Sequence, residues 1–273
     1  MTARKYFNGF PKRFLIALLI YLIPLVGNLR YAGELGNSIL AYSLLTFGGP
    51  QINERMDIFT LMIGIVPSFV LLYIFSDLMR QDCEISCIYV FTRYGSRKKW
   101  FLQKMLQLFL QIFITFLLLF LSAILLGLVF GLKVSSFSGS AFQAYCGLLF
   151  CNVGALFVLA FLQNALSLWC GSTPSFLAAA ILYLAGVFLA LLLYSKNPGG
   201  NLALSFFPST CQMYLWHDDV SVPAMAHIIQ PNPFAGLHLA GSYGIIVLES
   251  FFIGFIGCHF FEKSDLINML KEV

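Results

Sequence analysis

Six stretches of this chain are long enough and apolar enough to cross a lipid bilayer, and no other feature restricts its fold so severely. A membrane helix needs about 20 mostly apolar residues, because each adds about 1.5 Å toward some 30 Å of hydrocarbon. The stretches fall at about 10–27, 57–76, 104–132, 144–168, 174–194 and 240–261. The first has a short apolar core, Phe14 to Val26, which Phe10 and the snorkelling Lys12 and Arg13 extend. No small-x-small cleavage pattern follows Val26, so this segment reads as a retained span rather than a signal peptide.

Composition removes the soluble alternatives. Only 10% of the 273 residues are charged, against roughly 25% in an ordinary globular domain, and 59% are hydrophobic. A water-soluble surface cannot be built from so few polar groups. The 29 Phe and 12 Tyr exclude a disordered chain. A net charge of +4 is too small to suggest nucleic-acid binding. The expected fold is an all-α integral membrane protein, a single transmembrane domain over 1–273 with no soluble domain.

Lys and Arg fix the expected orientation. With the N-terminus inside, Arg4, Lys5, Lys12, Arg13, Arg80, Arg93, Arg97, Lys98, Lys99, Lys104, Lys263 and Lys271 are all cytoplasmic. Only Arg30, Arg55, Lys133 and Lys196 fall outside. Both termini are therefore expected in the cytoplasm. The seven cysteines are scattered and read as small buried hydrophobes; Cys83 and Cys87 would supply only half of a zinc site.

Motifs for catalysis are missing. The sequence holds no phosphate-binding Gly-x4-Gly-Lys-Ser/Thr loop, no His-Glu-x-x-His and no Gly-x-Ser-x-Gly. No catalytic, cofactor-binding or metal-binding residue is assigned. His217-Asp218-Asp219 groups three potential ligands, but adjacent loop residues rarely converge on one ion, and a solvated turn is the simpler reading. Glu249 is an acid well inside an apolar span. Such a residue usually faces protein or a water-filled cavity. It either lines a substrate path or reaches a wet vestibule, or is simply protonated. Gln103, Gln107 and Gln111 recur every four residues and form one polar stripe. Glu249, Gln107 and Gln111 are the candidates for a translocation path, with interhelical hydrogen bonding the alternative for the glutamines. Asn152, Gln163 and Asn164 read as helix glue. Gly127 and Gly131 have the spacing of a close helix crossing, and Thr173 with Pro174 that of a helix start.

Two segments look specialised. Residues 84–104 suggest a short interfacial helix that Gly95 breaks before Ser96 caps the next helix. The outer stretch from Lys196 to about Leu239 mixes five prolines with the apolar run Leu202 to Phe207, which suits re-entrant half-helices. Whether 38–47 is also re-entrant is left open.

Six spans with both ends inside, a basic interfacial elbow before span one, a cytoplasmic helix between spans two and three and a broken outer segment before span six form a set. It resembles the membrane subunit of bacterial ABC exporters of the type-two permease class, including small Gram-positive permeases associated with peptide antibiotics. The local match is Thr92-Arg93-Tyr94-Gly95-Ser96-Arg97-Lys98-Lys99-Trp100, followed by Lys104. The resemblance implies a location in the bacterial cytoplasmic membrane and no enzymatic activity in this chain. ATP and Mg would be bound by a separate cytoplasmic ABC ATPase dimer. It also implies a second permease subunit, identical or paralogous, sharing a path for a peptide or amphipathic substrate. The loop helix would contact the ATPase through Glu84, Arg93, Tyr94 and Arg97. A membrane-embedded immunity or sensor protein that binds a peptide without transporting it is the competing expectation.

Overall fold

In a computed structural model the residues described are 10–34, 38–50, 58–83, 96–134, 139–196, 202–220, 234 and 236–263. They fold as helices without a strand; the one isolated bridge joins Ser38 to Lys133. We label the helices α1 (Phe10–Glu34), α2 (Ile39–Phe47), α3 (Ile58–Ile74), α4 (Arg97–Val129), α5 (Gly139–Cys170), α6 (Ser172–Lys196), α7 (Pro208–Gln212) and α8 (Leu239–Lys263). Two 3-10 turns, Leu202–Phe206 and Tyr214–Trp216, flank α7.

Six helices among the described residues are long and apolar enough to cross a membrane, one for each apolar stretch of the sequence. The chain is a multi-pass membrane protein. The helices overrun the apolar stretches at their ends; α4, at 33 residues, is about 50 Å long and exceeds the hydrocarbon at either side. An even number of crossings returns the chain to its starting side. We call the end holding Phe10, Cys83, Arg97, Cys170 and Lys263 the near end, and the other the far end. Residues 1–9, where the interfacial elbow is expected, lie outside the described residues, and Lys12 and Arg13 belong to α1 as expected.

Burial ranks the helices. Of the membrane-length window of α5, 67% is buried, against 22–44% for the other five. It packs against α3, α4, α6, α7 and α8. A helix apolar all round, with no preferred polar face, is expected at the centre of a bundle. The outer helices show large side chains to the surroundings; on α8, Phe251 and Phe255 are 72% and 66% exposed. In water such a surface would aggregate, whereas in a bilayer it meets acyl chains.

The irregular segments lie inside the bundle. Every residue of α7 is buried, and α2 is buried along most of its length. Gln212 of α7 donates to Asn152, about the middle of α5, so the chain dips from the far end to mid-depth and returns. Phe47, the last residue of α2, reaches the same Asn152. The stretch before span six thus fits a re-entrant segment; α2 likewise runs from the far end to mid-depth, and residues 51–57, which lead on to α3, lie outside the described residues. The two segments touch each other where the Leu215 N–H donates to the Gly48 carbonyl at 3.0 Å and Trp216 Nε1 to the Pro50 carbonyl at 2.9 Å.

Two expected helix details differ. Gly131 makes no helix crossing: it takes φ +79° just beyond α4, where the N–H groups of Leu132 and Gly131 bond the carbonyls of Gly127 and Leu128. This is a glycine C-cap of the Schellman kind. The start of α6 comes at Ser172 rather than after Thr173, because Gly171 at φ +84° ends α5 in a left-handed turn and leaves Pro174 inside the first turn.

Close approach at α6–α7 depends on one missing side chain. A Cβ on Gly186 would lie 2.2 Å from Ser209 Oγ and 2.7 Å from Phe207 Cβ, so backbone would have to move. Gly186→Ala is expected to cost about 1–3 kcal/mol, read as a lower thermal midpoint in detergent. Gly27→Ala, where nothing lies within 4 Å, should leave the midpoint unchanged or raise it.

Candidate functional site

Hydrogen bonds between distant parts of the chain gather at two levels, one at mid-depth and one at the near end. At mid-depth the C-terminus of α2 presents carbonyls that no further helical turn can satisfy. Asn28 Nδ2 of α1 donates to the Leu45 carbonyl at 3.2 Å, and Asn152 Nδ2 to that of Phe47 at 2.9 Å. Asn152 Oδ1 in turn accepts from Gln212 Nε2 at 3.1 Å, and the same nitrogen donates to Ser68 Oγ of α3 at 2.9 Å. Tyr42 Oη donates to the Leu25 carbonyl at 2.8 Å. Side-chain amides thus tie α1, α2, α3, α5 and α7 together.

A second amide repairs a break. After α3 the chain makes a turn at 75–77 and resumes helix over 78–83. Asn164 of α5 spans the gap: its Nδ2 donates to the Phe75 carbonyl at 2.6 Å and its Oδ1 accepts from the Met79 N–H at 3.1 Å. The neighbouring Gln163 is also fully buried, yet its amide has no hydrogen-bond partner among the described residues. Asn152 and Asn164 thus act as the helix glue expected of them, and Gln163 does not.

The near end carries ions. Lys104 of α4 pairs with Asp82 and donates from Nζ to Gln107 Oε1 at 2.8 Å. Arg13 Nη1 of α1 approaches Gln111 Oε1 at 3.5 Å, and Asp77 and Asp82 stand close enough to attract its charge. Arg97 Nη1 donates to the Glu262 carbonyl at 3.2 Å, and Lys98 Nζ meets Glu262 Oε2 at 2.9 Å. Ser96 caps α4 as expected, its Oγ accepting from the Lys99 N–H at 3.2 Å. Glu84, Arg93 and Tyr94 lie outside the described residues; of the four expected coupling residues the structure places Arg97, at the junction of α4 with α8.

The path candidates divide. Gln107 and Gln111 are buried on one face of α4, each holding a basic side chain, while Gln103 is exposed. Glu249 meets different partners: it is half-buried, lies within electrostatic reach of Cys211 of α7, and its Oε2 is sealed with no hydrogen-bond partner among the described residues. Glu249 therefore faces protein rather than lipid.

At the far end the expected solvated turn holds for Asp218 and the exposed Asp219 but not for His217. His217 is fully buried. Its Nδ1 faces the carbonyls of Met213 and Tyr214 at 3.1 and 3.2 Å, so Nδ1 carries the proton and Nε2 accepts from Ser242 Oγ at 2.9 Å. Burial lowers the His217 pKa. Asp219 accepts the Leu239 N–H with both oxygens at 3.0 Å, a cap on α8, and Asp218 accepts the Gly236 N–H at 2.8 Å. Asp218, Asp219 and His238 bring ligand atoms within 4.8 Å of one another, but backbone capping and the 2.6 Å Asp218–His238 contact account for this grouping.

Two measurements check these assignments. Asn164→Leu should destabilise by about 1–3 kcal/mol by stranding the Phe75 carbonyl and the Met79 N–H, whereas Gln163→Leu, which removes an unpaired amide, should be neutral or stabilising. The His217 imidazole stays neutral in the fold while the unfolded chain protonates near 6.5, so stability should fall as pH drops below that value. His217→Gln should flatten that slope relative to the parent protein, read from unfolding midpoints between pH about 7 and 5.

No curated protein and no solved structure matches the chain. Residues 14–267, almost the whole of it, match a family described as a protein of unknown function, DUF2705, and the chain belongs to that family.

Proposed function

We propose that the chain is the transmembrane subunit of an ATP-driven ABC exporter in the bacterial cytoplasmic membrane, with both termini inside. With a second copy or a paralogue it would form the path for a peptide or amphipathic substrate. ATP and Mg belong to a cytoplasmic ATPase dimer. The observation that carries this reading is the continuity of α4. It runs unbroken from its Ser96 cap, at the end of the 84–95 segment, to Val129 at the far end. A push on 84–95 would be passed to a rigid rod about 50 Å long rather than absorbed in a loop. The Lys104–Asp82 ion pair and the Arg13–Gln111 hydrogen bond join the base of that rod to the 78–83 helix after α3 and to α1, so the three would respond together. Positive charge at the near end agrees with its cytoplasmic placement.

The test is co-purification. The chain should bring down a span-less ATPase from its own cell membrane, and Tyr94→Ala with Arg97→Ala should weaken that complex about 30-fold while leaving helical content intact. Lys99→Ala, at an exposed position, serves as the control. Unchanged ATPase binding and transport in the double variant would remove 84–97 as the contact. Peptide binding by a chain with no bound ATPase would instead favour the immunity or sensor reading.

A further inference from the structure

The lipid-facing surface has a furrow that the transport reading does not use. It lies between α4 and α8 at the near end, with a volume of about 400 Å³. Ser250, Gly254 and Cys258 recur every four residues and form its floor, because small side chains there leave space beside α4. Leu102 and Met105 form one wall, and Phe251 and Phe255, one position beyond the floor residues, form the other. Lys98 and His259 stand at the mouth. Between Ser250 and His259 the helix rises about 13 Å, close to the depth of one hydrocarbon leaflet.

We infer that this furrow is a binding site for an anionic phospholipid, with an acyl chain along Ser250–Gly254–Cys258 and the headgroup phosphate at Lys98. The shape selects a chain. Helices α4 and α8 pack directly on each other, so the gap between them is a surface crease, too narrow for a helix about 10 Å across. The chemistry selects the headgroup. Lys98 lines the mouth itself, Arg97 and Lys99 adjoin it on the first turn of α4, and Lys263 follows Glu262, the partner of Lys98, at the end of α8. The Lys98–Glu262 pair is about half exposed, and such a pair exchanges readily for a phosphate. Basic clusters between membrane helices at the cytoplasmic face bind anionic headgroups in the same way. Leu102 is 48% exposed, and with Phe251 and Phe255 it leaves the furrow open sideways to the bilayer.

Native mass spectrometry tests the site. The full chain in detergent is given equal amounts of phosphatidylglycerol and phosphatidylcholine with matched acyl chains. One phosphatidylglycerol should be retained in preference. Lys98→Gln should reduce that preference about fivefold. Gly254→Leu should abolish retention by filling the floor; a Cβ there would meet Met105 Sδ at 3.7 Å and the buried Phe161 ring at 3.8 Å, ordinary contacts that leave the Cβ itself unstrained. Equal retention of the two lipids, or a preference unchanged in Lys98→Gln, overturns the site. A parent dimer that Gly254→Leu splits assigns the furrow to a second copy and overturns it too. Should Gly254→Leu fail to fold, the exposed Lys98→Gln decides the matter alone.

Discussion

A helix that stops at mid-depth in a membrane exposes carbonyls where no water can donate to them, and this constraint governs the centre of the protein. Each unsatisfied group there costs several kcal/mol. The end of α2 and the short helix α7 both stop at that level; Asn152 donates to the Phe47 carbonyl at the end of the first and accepts from the Gln212 side chain of the second, which holds them together. A single interhelical hydrogen bond in membranes contributes only about 0.6 kcal/mol on average. The worth of Asn152 is therefore mostly the penalty it prevents. Its position on the most buried helix follows, because α5 reaches α2, α3 and α7 at once.

The six crossings were legible in the sequence because bilayer thickness imposes itself locally, on every run of about 20 residues. What escaped had causes far away in the chain. The turn at 75–77 contains neither proline nor glycine; it is sustained by Asn164, nearly ninety residues later. His217 sits beside two aspartates in sequence and looks solvated, yet Ser242 of α8 and the preceding 3-10 turn enclose it. Gly131 has the spacing of a crossing motif, and its place just past the end of α4, with a positive φ, makes it a cap instead. The site was legible in part. The glutamine stripe was visible as a stripe, but the cations that bind it come from α1 and from one turn earlier on α4, which spacing alone does not reveal.

The near-end cations have two duties that sequence counting merges. Lys and Arg near a helix end orient the chain by the membrane rule, whatever they touch. Here Arg13, Lys98 and Lys104 also hold Gln111, Glu262 and Asp82. The half-exposed Lys98–Glu262 pair contributes about 0–1 kcal/mol and is weakened by salt, whereas the Lys104 and Gln111 contacts are largely shielded from it.

That difference in strength divides the molecule into a part that resists motion and a part that permits it. The amide ties at mid-depth cannot open without stranding buried backbone groups, so α2, α3, α5 and α7 should move as one body. At the near end the half-exposed Lys98–Glu262 pair can exchange partners at little cost, whereas Lys104 and Arg13 tie the bases of α1 and of the 78–83 helix to α4 through shielded contacts. Compliance is therefore greatest where α4 meets α8, and a push on 84–95 would tilt the base of α4 together with those of α1 and α3.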